Sequence, residues 1–131
     1  MCDFVTGPTI LLELTPNPVR IDRASFAICK WSAEYKMSGY PHEKDTFITF
    51  WWKDVRSEKF AAICKIDVNP SIVTTCNEPD FSPDTPRKES EEKIYYRNVR
   101  YQGEGKCSFS TIGDSPIDSK ITTLKVIGNC A

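Results

Sequence analysis

Residues 23–37 read RASFAICKWSAEYKM, and the fold class turns on whether this stretch is a helix or a strand. From Cys29 to Met37 the pattern alternates without error. Cys29, Trp31, Ala33, Tyr35 and Met37 fall on one side, and Lys30, Ser32, Glu34 and Lys36 on the other. A period of two held this long marks a strand with one buried face. The rival is a helix starting after Asp22. It would gather Ala24, Ala27, Ile28, Trp31 and Tyr35 on one face but leave Phe26, Cys29, Ala33 and Met37 opposite. The strand is the better reading, with a single short helical turn around Asp22 to Phe26 left open.

Outward from this segment the chain continues in the same style. Thr9 to Thr15 (TILLELT) is closed by Pro16-Asn17-Pro18, and Ser38-Gly39-Tyr40-Pro41 supplies a break. Thr46 to Trp52 (TFITFWW) is aromatic and β-branched on both faces, which suits a strand covered on both sides or one bearing an exposed aromatic strip. Lys59 to Val68 follows the charged turn Asp54 to Glu58, and Ile72 to Cys76 is a short strand. Lys93 to Gln102, Lys106 to Ile112 and Ile121 to Ile127 complete the set, with Gly103-Glu104-Gly105 as a turn. Asn77 to Glu92, with Pro79, Pro83 and Pro86 in a dense charge mix, reads as a long solvated loop. The expectation is one mainly β domain over residues 1–131: an antiparallel β-sandwich or barrel of seven to eight strands.

The cysteines bound the compartment. Cys2, Cys29, Cys64, Cys76, Cys107 and Cys130 are widely spaced, with no Cys-x-x-Cys pair of the kind that zinc or redox sites use. An even number of such cysteines in a small chain implies a disulfide framework and an oxidising, extracellular setting. The other possibility is a cytosolic protein with six free thiols. Cys64 and Cys76 lie on consecutive strands across the Asn69-Pro70 turn and form the first expected bridge. Cys107 and Cys130, near the ends of the last two strands, are the second expected pair, and Cys2 and Cys29 remain as the third. Met1-Cys2-Asp3-Phe4 lacks a signal-peptide pattern, so a leader is expected to have been removed.

Charge and residue inventory exclude several functions. The net charge of −1 argues against a nucleic-acid surface, and no apolar run reaches the length of a membrane span. No metal-ligand cluster or phosphate-cradling glycine loop is present, so no metal or cofactor is expected. A catalytic system could be built only on the single histidine, His42, in Tyr40-Pro41-His42-Glu43. That segment, followed by an aromatic strand, resembles the region around the first histidine of small secreted fungal ribonucleases. The resemblance implies a ribonuclease-like hydrolase or pseudo-enzyme, with the second histidine of that family missing here. Binding candidates are clearer. Adjacent strand residues point to opposite faces, so Trp51 and Trp52 cannot both enter a one-sided core. The one left out needs a covering layer, a partner or a ligand. Lys93 and Arg97 share a strand face and could form a small basic patch for an acidic partner.

The run from Cys29 to Cys76 carries a Trp/Tyr-bearing strand (CKWSAEYKM), an aromatic strand (TFITFWW) and a strand ending in cysteine (FAAICKIDV). A second cysteine follows with an acidic and aromatic tail (TTCNEPDF). This order resembles the small secreted fungal proteins related to the major allergen of Alternaria. The resemblance implies a β-barrel, a bridge joining Cys64 to Cys76, and a secreted effector, elicitor or allergen without catalysis. The expected function is therefore that of a fungal effector-type protein. It would bind a host protein or ligand outside the cell, or inside the host after uptake, through Trp51, Trp52, Lys93 and Arg97. Oligomeric state is left open.

Overall fold

The computed structural model describes residues 9–32, 46–68, 71–84, 90–110 and 115–128. Among them there is no helix, and ten of the twelve strands form two packed antiparallel sheets. The first sheet runs in the order β1 (Ile10–Thr15), β3 (Ser25–Trp31), β8 (Glu91–Tyr96) and β7 (Phe81–Pro83). The second runs β10 (Ile117–Asp118), β9 (Gly103–Ser110), β4 (Phe47–Asp54), β5 (Ala61–Asp67) and β6 (Val73–Cys76), and β11 (Thr122–Leu124) also pairs with β9. A small parallel pair, β2 (Val19–Arg20) with β12 (Val126–Ile127), ties an early loop to a late one.

The decisive segment is a strand, set earlier than the alternation suggested. β3 spans Ser25–Trp31, and Ala27, Cys29 and Trp31 point into the core as the period-two reading requires. Residues 33–37 lie outside the described residues. The rival helix is ruled out over Ser25–Trp31, because each of these positions pairs in register with β1 or β8 on its two sides. β1 and β3 are placed by their alternating apolar residues, the pattern that buries one face of a strand.

Trp52 sets the packing between the sheets. It faces inward from β4 with Ile48 and Phe50, opposite Gly105 in the register, and its indole lies across Gly103 and Gly105 of β9. A Cβ at Gly103 would stand 2.4 Å from Trp52 Cζ2, and one at Gly105 would stand 2.9 Å from Trp52 Cε3. The glycines are thus strand residues that make room for a ring, and the turn expected at Gly103-Glu104-Gly105 is corrected to the start of β9. Their spacing of two puts both on the same face, beneath the same side chain.

Two further departures have local causes. A bulge between Phe50 and Trp51 shifts the β4–β5 register, so Ile63 and the next residue, Cys64, are both buried. The loop expected over Asn77 to Glu92 contains β7, because Phe81 drops into the core and stacks on Tyr96 at 4.2 Å between centroids. Pro83 is tolerated there because β7 is an edge strand, where a missing N–H costs no ladder bond on the outer side. The strand expected to reach Gln102 ends at Tyr96. Asn98 then takes a φ of 52°, a conformation Asn tolerates, and Val99 returns to the core.

Cys64 and Cys76 are directly opposite in the β5–β6 register and are bridged. The other two expected pairings are corrected: Cys29 joins Cys107, with Cα atoms 6.0 Å apart. Proximity along the chain favours hairpin neighbours, whereas β3 and β9 belong to different sheets and meet only across the core. Cys2 and Cys130 lie outside the described residues.

In the chain-entropy account, closing a loop of 78 residues stabilises by about 4–5 kcal/mol and one of 12 residues by about 3 kcal/mol. Urea denaturation is expected to show a larger loss for Cys29→Ala/Cys107→Ala than for Cys64→Ala/Cys76→Ala. Gly103→Ala is expected to lose about 1–3 kcal/mol through overpacking against Trp52, measured the same way.

Candidate functional site

The outer faces of the two sheets carry most of the sequence-nominated residues. On the first sheet the odd positions of β8 point outward, and Phe26 of β3 lies opposite Tyr95. Their rings meet at 5.4 Å. Lys93 Nζ stands 5.1 Å from the Phe26 ring, and the Arg97 guanidinium stands 5.8 Å from the Tyr95 ring. The result is a strip of two half-buried rings, each with a cation over it. Arg97 makes only a long 3.5 Å hydrogen bond to Ser82 Oγ, and neither cation has a carboxylate partner among the described residues.

On the second sheet Trp51 points outward, half-buried, and its indole N–H donates to Ser108 Oγ at 2.7 Å. Lys106 Nζ stands 5.9 Å from the Trp51 ring and 5.1 Å from the Phe60 ring, and it also pairs with Asp118 at 3.1 Å. Lys53 stands over Phe60 and pairs with Glu104; Lys65 stands over Phe47 and pairs with Asp67. This face is charge-balanced. Trp51 and Trp52 therefore separate as alternation demands, with Trp51 on the surface and Trp52 in the core. The structure does not bring the four nominated residues together: Lys93 and Arg97 sit on one sheet, the two tryptophans on the other.

A third region was not legible in the sequence. At one end of the sandwich the β4–β5 turn brings Arg56 back onto Asp54. Two guanidinium nitrogens and the backbone N–H of Arg56 reach the carboxylate, the closest guanidinium contact at 2.7 Å. This holds the Asp54 carboxyl below its usual range. Arg56 also lies 4.0 Å above the Tyr101 ring, and Arg100 pairs with Asp22 at 3.1 Å. Tyr96 lies at the base of two adjoining clefts there. Burial, and then the carboxylates of Asp54 and Asp80, push its phenol up to about 12. The charged turn Asp54 to Glu58 was the one visible signal, but its partners lie some 25 to 45 residues further along the chain.

Glu92, expected in a solvated loop, is fully buried on the inner face of β8, where the Thr74 hydroxyl donates to its carboxylate. This contact ties β8 to β6 across the gap between the sheets. Among the described residues no group of three or more His, Cys, Asp and Glu side chains is placed to hold a metal ion. Nor, among the described residues, is any helix long and apolar enough to cross a membrane. His42 lies outside the described residues. No protein-family model matches the chain, and no curated protein shows significant similarity to it.

The unfolded chain ionises its tyrosines near 10, before Tyr96 ionises in the folded one. The Tyr96 contribution is thus complete below pH 10 and is lost as pH rises towards 12. Phenolate absorbance is expected to show one late-titrating tyrosine that is absent in Tyr96→Phe, whose stability falls less steeply over that interval.

Proposed function

We propose that the protein is an exported binding module of the fungal effector type, which engages an acidic surface of a host protein and performs no reaction. The contact surface is the Lys93–Phe26–Tyr95–Arg97 strip on the outer face of the first sheet.

One observation carries this reading. Six cations of the described residues stand over aromatic rings: Lys53, Arg56, Lys65, Lys93, Arg97 and Lys106. Four of them are paired with carboxylates, namely Lys53, Arg56, Lys65 and Lys106. Lys93 and Arg97 are the two that are not, and they flank the same pair of rings. A cation held by a ring, with most of its hydrogen-bond donors unspent, is placed to receive an incoming carboxylate. Aromatic rings with Arg beside them are also the residue types that dominate interface energetics. The rigid two-sheet frame presents this strip with little further ordering to be lost on binding, which favours affinity. The two buried or half-buried disulfides fit the oxidising compartment that an exported module occupies.

The test is capture from host-tissue extract on immobilised protein, comparing the parent with Lys93→Glu/Arg97→Glu. Both side chains lie on an outer face, so circular dichroism of the variant is expected to match the parent. The parent is expected to retain a partner that salt elutes, and the variant to retain it about tenfold less or worse, as expected for loss of facing charge pairs. Equal retention by the two proteins, or none above bare matrix, overturns the reading.

A further inference from the structure

The end cleft beside the β4–β5 turn has a different character from the basic strip. It measures about 240 Å³, and its inner wall is formed by Trp52, Phe81 and Tyr96. That is room for about eight waters at roughly 30 Å³ each, hence for one long side chain but not for a folded element. Its rim carries Glu78 and Asp80 on the turn leading into β7. The turn is fixed by backbone bonds: Phe81 N–H donates to Glu78 O at 3.1 Å, and Arg97 N–H donates to Asp80 O at 2.9 Å.

The charges at this rim do not cancel. Lys53 is spent on Glu104, and Arg56 is spent on Asp54 and drawn over Tyr101. Glu78 and Asp80 have no ion-pair partner among the described residues. The wall also holds an unused donor. Trp52 is 5% exposed, and its indole N–H has no acceptor. The Tyr96 hydroxyl lies beside it, short of an ordinary hydrogen bond. Tyr96 remains a neutral phenol up to about 12, so it is a donor throughout the physiological range.

We infer that this cleft is a binding site for a basic side chain, Arg or Lys, presented by a peptide segment. The cation would meet Glu78 and Asp80, its alkyl stem would lie along the aromatic wall, and a peptide carbonyl would supply the acceptor that the Trp52 indole N–H lacks. Charge alone would admit a metal ion or a free amine. The apolar wall and the unused Trp52 donor select a ligand that combines a long stem, a cation and an acceptor. The site shares no contact residue with the Lys93–Arg97 strip, and its variants differ, so either site can fail while the other stands.

The experiment follows the Trp52 indole resonance by NMR while the intact protein is titrated. Three probes are used: acetyl-arginine methylamide, butylguanidinium, and the uncharged acetyl-norvaline methylamide. A saturable shift is expected with the arginine amide, at a Kd several-fold lower than that of butylguanidinium, and none with the uncharged amide. In Glu78→Gln/Asp80→Asn, where both exposed side chains keep their shape, the arginine-amide shift is expected to fall about tenfold or more in affinity. Equal shifts with the uncharged amide, no shift with any probe, or an unchanged affinity in the double variant overturns the site.

Discussion

The structure depends on the approach of one indole to two glycines. Trp52 can lie flat against β9 only because positions 103 and 105 carry no Cβ. Once there, the ring forms one side of an aromatic group with Phe50, Phe81 and Tyr96, with centroid separations between 4.2 and 6.1 Å. Phe81 is recruited from a segment otherwise rich in proline and charge, and it brings β7 with it as the edge of the first sheet. The same ring forms the wall of the end cleft. Packing and candidate ligand contact are therefore two sides of one side chain, and the glycines serve both.

The second constraint is covalent. Cys29 and Cys107 lie at the centres of β3 and β9 and are fully buried. Their bridge fixes the two sheets against each other near the middle of the core. Cys64–Cys76 acts at the margin and holds the short strand β6 to β5. With the layers held from within and at the side, the outer faces are free to carry rings and charges that contribute little to stability. Exposed ion pairs such as Lys30–Glu13 add little there.

Much of the scaffold was legible. The alternation through Cys29 and Trp31, the TFITFWW strand and the Cys64–Cys76 hairpin all follow from period-two patterning and turn residues, which act locally. What was not legible is what depends on distant partners. Nothing near Gly103 announces that a tryptophan fifty positions earlier requires it. Nothing near Cys29 names Cys107, because the two meet only once the sheets stack. Phe81 lies among prolines and acids, and its burial depends on a gap left by Trp52 and Tyr96. The candidate sites divide in the same way. Lys93 and Arg97 were found because they lie four residues apart on one stretch of chain, and the ring partner Phe26 was missed because it comes from another strand. The end cleft draws on four separate stretches of chain and has no motif.

The strand margins have a consequence for behaviour at high concentration. β7 is three residues long and includes a proline, β6 has four residues and is stapled to its neighbour, and the far side of β9 is occupied by both β10 and β11. On these three margins a second molecule would find no long, regular row of backbone donors to extend. Such blunted borders discourage sheet-to-sheet polymerisation, so the molecule can display aromatic rings on its flat faces without inviting fibril growth from these edges.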